Sequence, residues 1–379
     1  MQYLFVAAGT VILFLIALIL SKKTRNVSDN ILIIWLLVYL SNIITVSIVT
    51  NFSSPFKTGF GFLIEFSESS LFLHGPLLYL YTLSLTKPDF RFSINYFRYF
   101  ILFIISYIYL LTGLFIQIGT NGIGRDIQIV SKLIFIVVYL TYNLILLKRH
   151  SRNIENIFSN TASRTLRWLK FISIGLLVIW IIGVISLSLS DLFAVSIPQY
   201  GGLYINFALC IFVFLLGYFG FKQVSIFSIL NNSEKSEEEI NGIEELLDDL
   251  PAIEKKYKKS GLDYLRSEEI NNEMIVLLKD KKIYLDQNLT LFKMAKMLGV
   301  QPNHLSQVIN SQQKQNFFNL INSYRIEEVK EIINSDKYKN LSMLGIAFEC
   351  GFNSKASFNR AFKKETGLTP SGFKKEIRS

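Results

Sequence analysis

The 379-residue sequence is poor in side chains that hold metals, form cross-links or carry out chemistry. It has two cysteines and three histidines. Cys210 and Cys350 lie in halves of very different composition, so no disulfide framework is expected. His74, His150 and His304 are scattered, with no cysteine at ligand spacing, so no metal site is read. The chain contains no Walker loop, no HExxH, no nucleophile elbow and no kinase signature. GTNGIG (119–124) follows no strand and reads as a turn. Neither catalysis nor a bound cofactor is expected.

Acidic side chains are also scarce in the first 221 residues, with 7 Asp/Glu against 15 Lys/Arg. That stretch holds nearly all the excess behind an overall hydrophobic content of 51%. Residues 222–270 carry 7 basic and 12 acidic side chains, and residues 271–379 carry 17 and 10. An acidic connector therefore separates two basic regions. The pattern suggests a membrane domain, a solvated linker and a module that meets a polyanion.

A membrane-crossing helix needs about 20 mostly apolar residues, because the hydrocarbon core is about 30 Å thick and each residue rises about 1.5 Å. Segments near 3–20, 31–50, 60–85, 98–118, 128–147, 169–189 and 203–221 meet that need, so seven spans are expected in residues 1–221. The first is not a signal peptide. No basic residue precedes it, Lys22, Lys23 and Arg25 follow it, and no small-x-small cleavage pattern ends it. With the N-terminus outside, the inner connections and adjoining helix ends carry Lys22, Lys23, Arg25, Lys87, Arg91, Arg98, Lys148, Arg149, Arg152, Arg164 and Arg167. The outer side offers Lys57, Arg125 and Lys132. This bias obeys the positive-inside rule and puts the C-terminus in the cytoplasm, with the spans in the cytoplasmic (inner) membrane.

Glu65, Glu68, His74 and Lys132 fall inside predicted spans, and Gly75-Pro76 should kink the third. Charges in hydrocarbon are costly unless paired or facing water. The four are candidates for an outward-facing sensor pocket, with Lys132 pairing one glutamate. A packing ion pair is the plainer alternative. Residues 222–270 read as an acidic cytoplasmic connector whose basic stretch 255–259 is more simply solvated than bound. An amphipathic helix over about 267–283 leads into the last domain, 271–379.

That domain contains a repeat. Thr290-Leu291 opens a helix running through Ala295 to Gly299, and Ser342-Met343 opens another running through Ala347 to Gly351. Thr and Ser cap the starts, Ala permits close helix packing, and Gly permits the left-handed turn. A second helix follows each turn, one beginning at Pro302 and one capped by Ser354. At about 100° per residue, Leu305, Val308 and Ile309 share a core face, as do Phe358, Ala361 and Phe362. The opposite faces carry Asn303, Ser306, Gln307 and Asn310, and Lys355, Ala356, Asn359, Arg360 and Lys363. Amides, hydroxyls and Arg read base edges in a major groove. Residues 315–335 form a joining helix about 30 Å long, close to one DNA turn of about 34 Å.

The segments LSQVIN (305–310) and GFNSKASFNRAFKKETGLTPSGFKK (351–375) resemble the C-terminal domain of the AraC/XylS family, over roughly residues 275–379. The resemblance implies two helix-turn-helix units, no enzymatic activity, and promoter binding that usually activates transcription with RNA polymerase as partner. By position, Asn303, Ser306 and Gln307, and Lys355, Ala356, Asn359 and Arg360, match the family's groove-facing residues. HGPLLYLY (74–81) and GYFGFKQVSIF (217–227) are similar to the multi-span region of AraC-type regulators from Bacteroidetes-like bacteria. One departure stands out: residues 301–313 hold no Lys or Arg, where the family often has basic residues. The expected protein is all-α, a seven-helix transmembrane bundle followed by a soluble tandem helix-turn-helix domain. It would be a regulator responding to a small molecule or a membrane state. A transporter or a passive anchor with a DNA-binding tail are the alternatives, and dimerisation stays open.

Overall fold

The computed structural model describes residues 2–51, 59–87, 90–116, 123–161, 165–193, 200–222, 262–334 and 341–378. Long apolar runs satisfy their backbone polar groups locally only as helices. Seven such helices stand among the described residues: α1 (Gln2–Leu20), α2 (Val27–Asn51), α3 (Gly61–Thr86), α4 (Ile101–Ile116, entered through a 3-10 turn at Ile94–Phe100), α5 (Ile123–Ile157), α6 (Arg167–Phe193) and α7 (Tyr200–Lys222). They coincide with the seven apolar segments of the sequence. Among the described residues three stretches, against the seven expected, are long and apolar enough to cross a membrane: Val27–Val49, Ile94–Thr112 and Val130–Ile157. Phe5–Leu20 and Cys210–Phe221 are shorter apolar helices. Helix α3 is polar for a span because Glu65, Ser67, Glu68, Ser69 and Ser70 crowd its first half. It continues as helix through Pro76.

The chain divides into two compact units, one of Met1–Lys148 with Leu166–Ile229 and one of Arg149–Thr165 with Leu230–Ser379. In the first, α2 packs on α1 and α3, α3 on α4, and α7 on α1, α2 and α6. Its core joins Ile12, Trp35, Tyr39, Leu78, Tyr81, Leu140, Leu169 and Leu216. Glycine allows α7 to come close: a Cβ on Gly217 would lie 2.2 Å from Leu15 Cδ1, and one on Gly220 would lie 2.4 Å from Leu32 Cδ2. The outward faces are apolar rather than polar, with Phe14, Ile34, Ile105, Ile134, Tyr142, Phe171, Ile182 and Phe214 all exposed.

The second unit contains α8 (Tyr264–Lys279), a 3-10 turn at Ile283–Leu285, α9 (Leu291–Leu298), α10 (Pro302–Gln312), α11 (Phe317–Asn334), α12 (Met343–Glu349), α13 (Lys355–Thr366) and α14 (Pro370–Arg378). The acidic stretch 231–250 and the basic stretch 255–259 lie outside the described residues, as does GTNG (119–122). Residues 149–161, read in the sequence as part of an inner membrane connection, pack instead with this second unit.

Candidate nucleic-acid interface

Side-chain caps set both repeats. Thr290 accepts from Lys293 N, Ser342 from Gly345 N and Ser354 from Ser357 N, while Pro302 occupies the first turn of α10. The turns lie in the left-handed region, with φ of 65° at Gly299 and 87° at Gly351. At Gly351 an added Cβ would meet Tyr284 O at 2.6 Å, so only glycine fits. Leu305, Val308 and Ile309 of α10 are buried. In the second repeat Phe358, Ala361 and Phe362 join Ile326, Val329, Ile346, Ala347, Cys350 and Phe352 in one core.

Burying those faces presents the others. Lys355, Ala356, Asn359, Arg360 and Lys363 of α13 are all exposed. On α10, Asn310 is exposed and donates to Ser306 O at 2.8 Å, Asn303 and Gln307 are half-buried, and Ser306 is buried. The α13 face is therefore the open and cationic one, and the α10 face is neutral and partly covered.

Arg325 organises the middle of this unit. It is fully buried. Its Nε donates to Tyr284 O at 2.7 Å, and Nη2 donates to Asp286 O at 2.8 Å and Ser159 Oγ at 3.2 Å. Nη1 donates to Ser159 O and Asn322 Oδ1, both at 3.3 Å. Burial pulls its guanidinium down from the ordinary value to about 9, which leaves it charged at neutral pH. Glu328 accepts from Lys282 Nζ at 2.7 Å and Tyr284 OH at 2.6 Å. Burial opposes the Glu328 charge, but those two bonds outweigh it and hold the carboxyl below its usual range. Burial, reinforced by Glu328 and Glu349, pushes the Cys350 thiol up to about 12, so it packs as an unreactive side chain.

Sequence reading singled out none of Ser159, Asn160, Thr161 or Arg325. Arg325 carries a signal in retrospect. It stands four residues from Ile321 and four from Val329, squarely on the apolar stripe of α11. Residues 158–161 carry none, because their partners lie well over a hundred positions away.

In the first unit, Lys132 is buried and its Nζ lies 3.3 Å from Glu68 Oε2, while the Glu68 side chain is 60% exposed. Glu65 is half-buried on the same helix as Glu68. His74 belongs to another cluster: Nδ1 accepts from Trp35 Nε1 at 3.0 Å, and its ring stacks on Tyr39 at 4.5 Å between centroids.

Residues 294–376 match a family model described as a helix-turn-helix domain, of the AraC type. The match runs from within α9 into α14, covering the first repeat from Met294 onward and all of the second. It supports a DNA-binding transcription regulator, a class generally without enzymatic activity. No curated protein and no solved structure matches the chain significantly.

Proposed function

We propose that this chain is a membrane-anchored, sequence-specific transcription regulator of the AraC type, which activates genes in response to a signal sensed by its membrane half. The observation that carries the DNA-reading half is the helix-turn-helix match over 294–376, in which α13 turns Lys355, Asn359, Arg360 and Lys363 outward. Exposed side chains of these types fit one major groove, and α11, about 27 Å long for 18 residues, spaces two such helices near one DNA turn. Asn303, Gln307 and Asn310 then supply polar contacts in the neighbouring groove; Ser306, placed on that face by the sequence, is buried on the core side and is not among them.

The anchoring half rests on the apolar exterior of the seven-helix unit. Water-soluble proteins rarely expose contiguous apolar patches beyond a few hundred Å², whereas here large apolar side chains face outward on α1, α2, α4, α5, α6 and α7. Lipid is the solvent that makes such a surface favourable. The charge bias of the connections favours a cytoplasmic tail, where DNA and RNA polymerase are met. Glu65, Glu68 and Lys132 remain the sensor candidates, with His74 assigned to the buried aromatic cluster of Trp35 and Tyr39.

The test is selection of duplexes from a random pool by the purified full-length chain, followed by footprinting. The account expects one enriched sequence protected over two successive grooves. Enrichment of no sequence above the starting pool would overturn it.

A further inference from the structure

Helix α5 is 35 residues long, about 52 Å, against the about 30 Å of a hydrocarbon core. From Arg149 onward it belongs to the second unit. Its end and the residues after it are sunk there: Ile157, Phe158, Ser159, Asn160 and Thr161 are each no more than 2% exposed. Phe158 forms an antiparallel bridge with Thr290, the cap of the first repeat. Ser159 donates to Leu289 O through Oγ at 2.7 Å and through its amide N at 3.4 Å, and Asn160 Nδ2 donates to Gln287 O at 2.5 Å and to Gly351 O at 3.3 Å. Asn322 and Arg325 of the joining helix donate to Ser159 O. Three consecutive residues, Phe158, Ser159 and Asn160, thus bond to the entrance of the first repeat, to α11, and to the turn of the second repeat. Thr161 Oγ1 then accepts from Arg360 Nη2 at 3.4 Å, while the Arg360 guanidinium lies over the Phe318 ring.

We infer that Phe158–Thr161, the connection between α5 and α6, is a seated peptide through which the membrane half restrains DNA reading. This rests on the DNA-binding function proposed above. Seated, the peptide clamps the two repeats to α11 and ties the guanidinium of the otherwise exposed Arg360 to Thr161 and Phe318. Unseated, it frees the angle between the repeats and releases the Arg360 guanidinium to the groove. Release leaves no buried cation stranded, because Arg325 keeps Tyr284 O, Asp286 O and Asn322 Oδ1, and Asn322 keeps Phe318 O at 2.8 Å. The bonds lost pass to water, which is the behaviour of a reversible contact. The peptide is continuous in sequence with α5 and α6, so a shift of either helix reaches the reading unit without passing through the 222–270 connector.

The test uses the full chain in lipid nanodiscs with its selected duplex, comparing the parent with Thr161→Val and Asn160→Ala. Thr161→Val preserves shape and removes the Arg360 bond; Asn160→Ala removes the bonds to Gln287 and Gly351. Fluorescence anisotropy should show binding tightened about threefold by the first and about tenfold by the second, one or two hydrogen bonds' worth, with Arg360→Ala cancelling the gain. Hydrogen exchange should find the Ser159 amide protected in the parent and fast in Asn160→Ala. Unchanged or weakened binding in both variants would overturn the restraint. An unprotected Ser159 amide in the parent would overturn the seat itself. A protected amide with no duplex bound by any form would sink the DNA-binding reading and reduce the seat to packing.

Discussion

Arg360 and Gln307 occupy corresponding faces of two repeats, yet they are unequal. Arg360 is exposed on a helix that also carries Lys355, Lys363 and Lys364, whereas Gln307 is half-buried on a helix without a cation. Arg360→Ala should therefore weaken DNA binding more than Gln307→Ala, and Lys363→Ala should lower the slope of log affinity against log salt by about 1. Anisotropy titrations at several salt concentrations check both. Arg325 belongs to the interior, where its loss would leave the carbonyls of Tyr284 and Asp286 unpaired. Arg325→Met should cost the second unit about 3 kcal/mol or more, read from hydrogen exchange of the α11 amides. Glu328 gives a pH dependence of known sign. Its folded value is depressed, so its contribution is present above the ordinary carboxylate range and is lost as pH falls through the folded value. Glu328→Gln should flatten the acid side of the second unit's stability curve, and an unchanged acid limb would show that another carboxylate governs it.

At the scale of elements, the helices of the second unit were legible because each is set by local rules. Thr290, Ser342 and Ser354 announce their caps, Gly299 and Gly351 their turns, and the 3.6-residue period of Leu305, Val308 and Ile309 its buried face. What no local rule reveals is the partner of an element far along the chain. Ser159 meets Leu289 across 130 positions and Asn160 meets Gly351 across 191, so the connection near 148–168 reads from sequence as a basic inner loop, with nothing to mark where 149–161 pack. The Glu68–Lys132 pair was within reach of sequence because two opposite charges in apolar helices need each other. His74 was not, since nothing in its neighbours marks Trp35 as its donor. Core independence gives a prediction at this scale. Phe362→Ala should cost the second repeat about 3–5 kcal/mol and erase one half of a DNase footprint while the other half survives. Loss of both halves together would show the repeats fold as one cooperative block.

The whole molecule carries an apolar-surfaced helical unit and a basic unit with the helix-turn-helix match on a single chain. If the first unit senses a signal as proposed, the signal acts as a difference in stability between two packings of that unit. Glu68→Gln should alter inducible output, because it leaves the buried Lys132 ammonium without its carboxylate. The central claim is that one polypeptide is held in lipid and reads DNA from the cytoplasmic side. Its most direct measurement is retention of a labelled, selected duplex by carbonate-washed membrane vesicles of defined orientation. Inside-out vesicles should hold the duplex against excess random DNA, and right-side-out vesicles should not. Duplex binding that leaves with the carbonate wash, or equal retention by both orientations, would contradict the account.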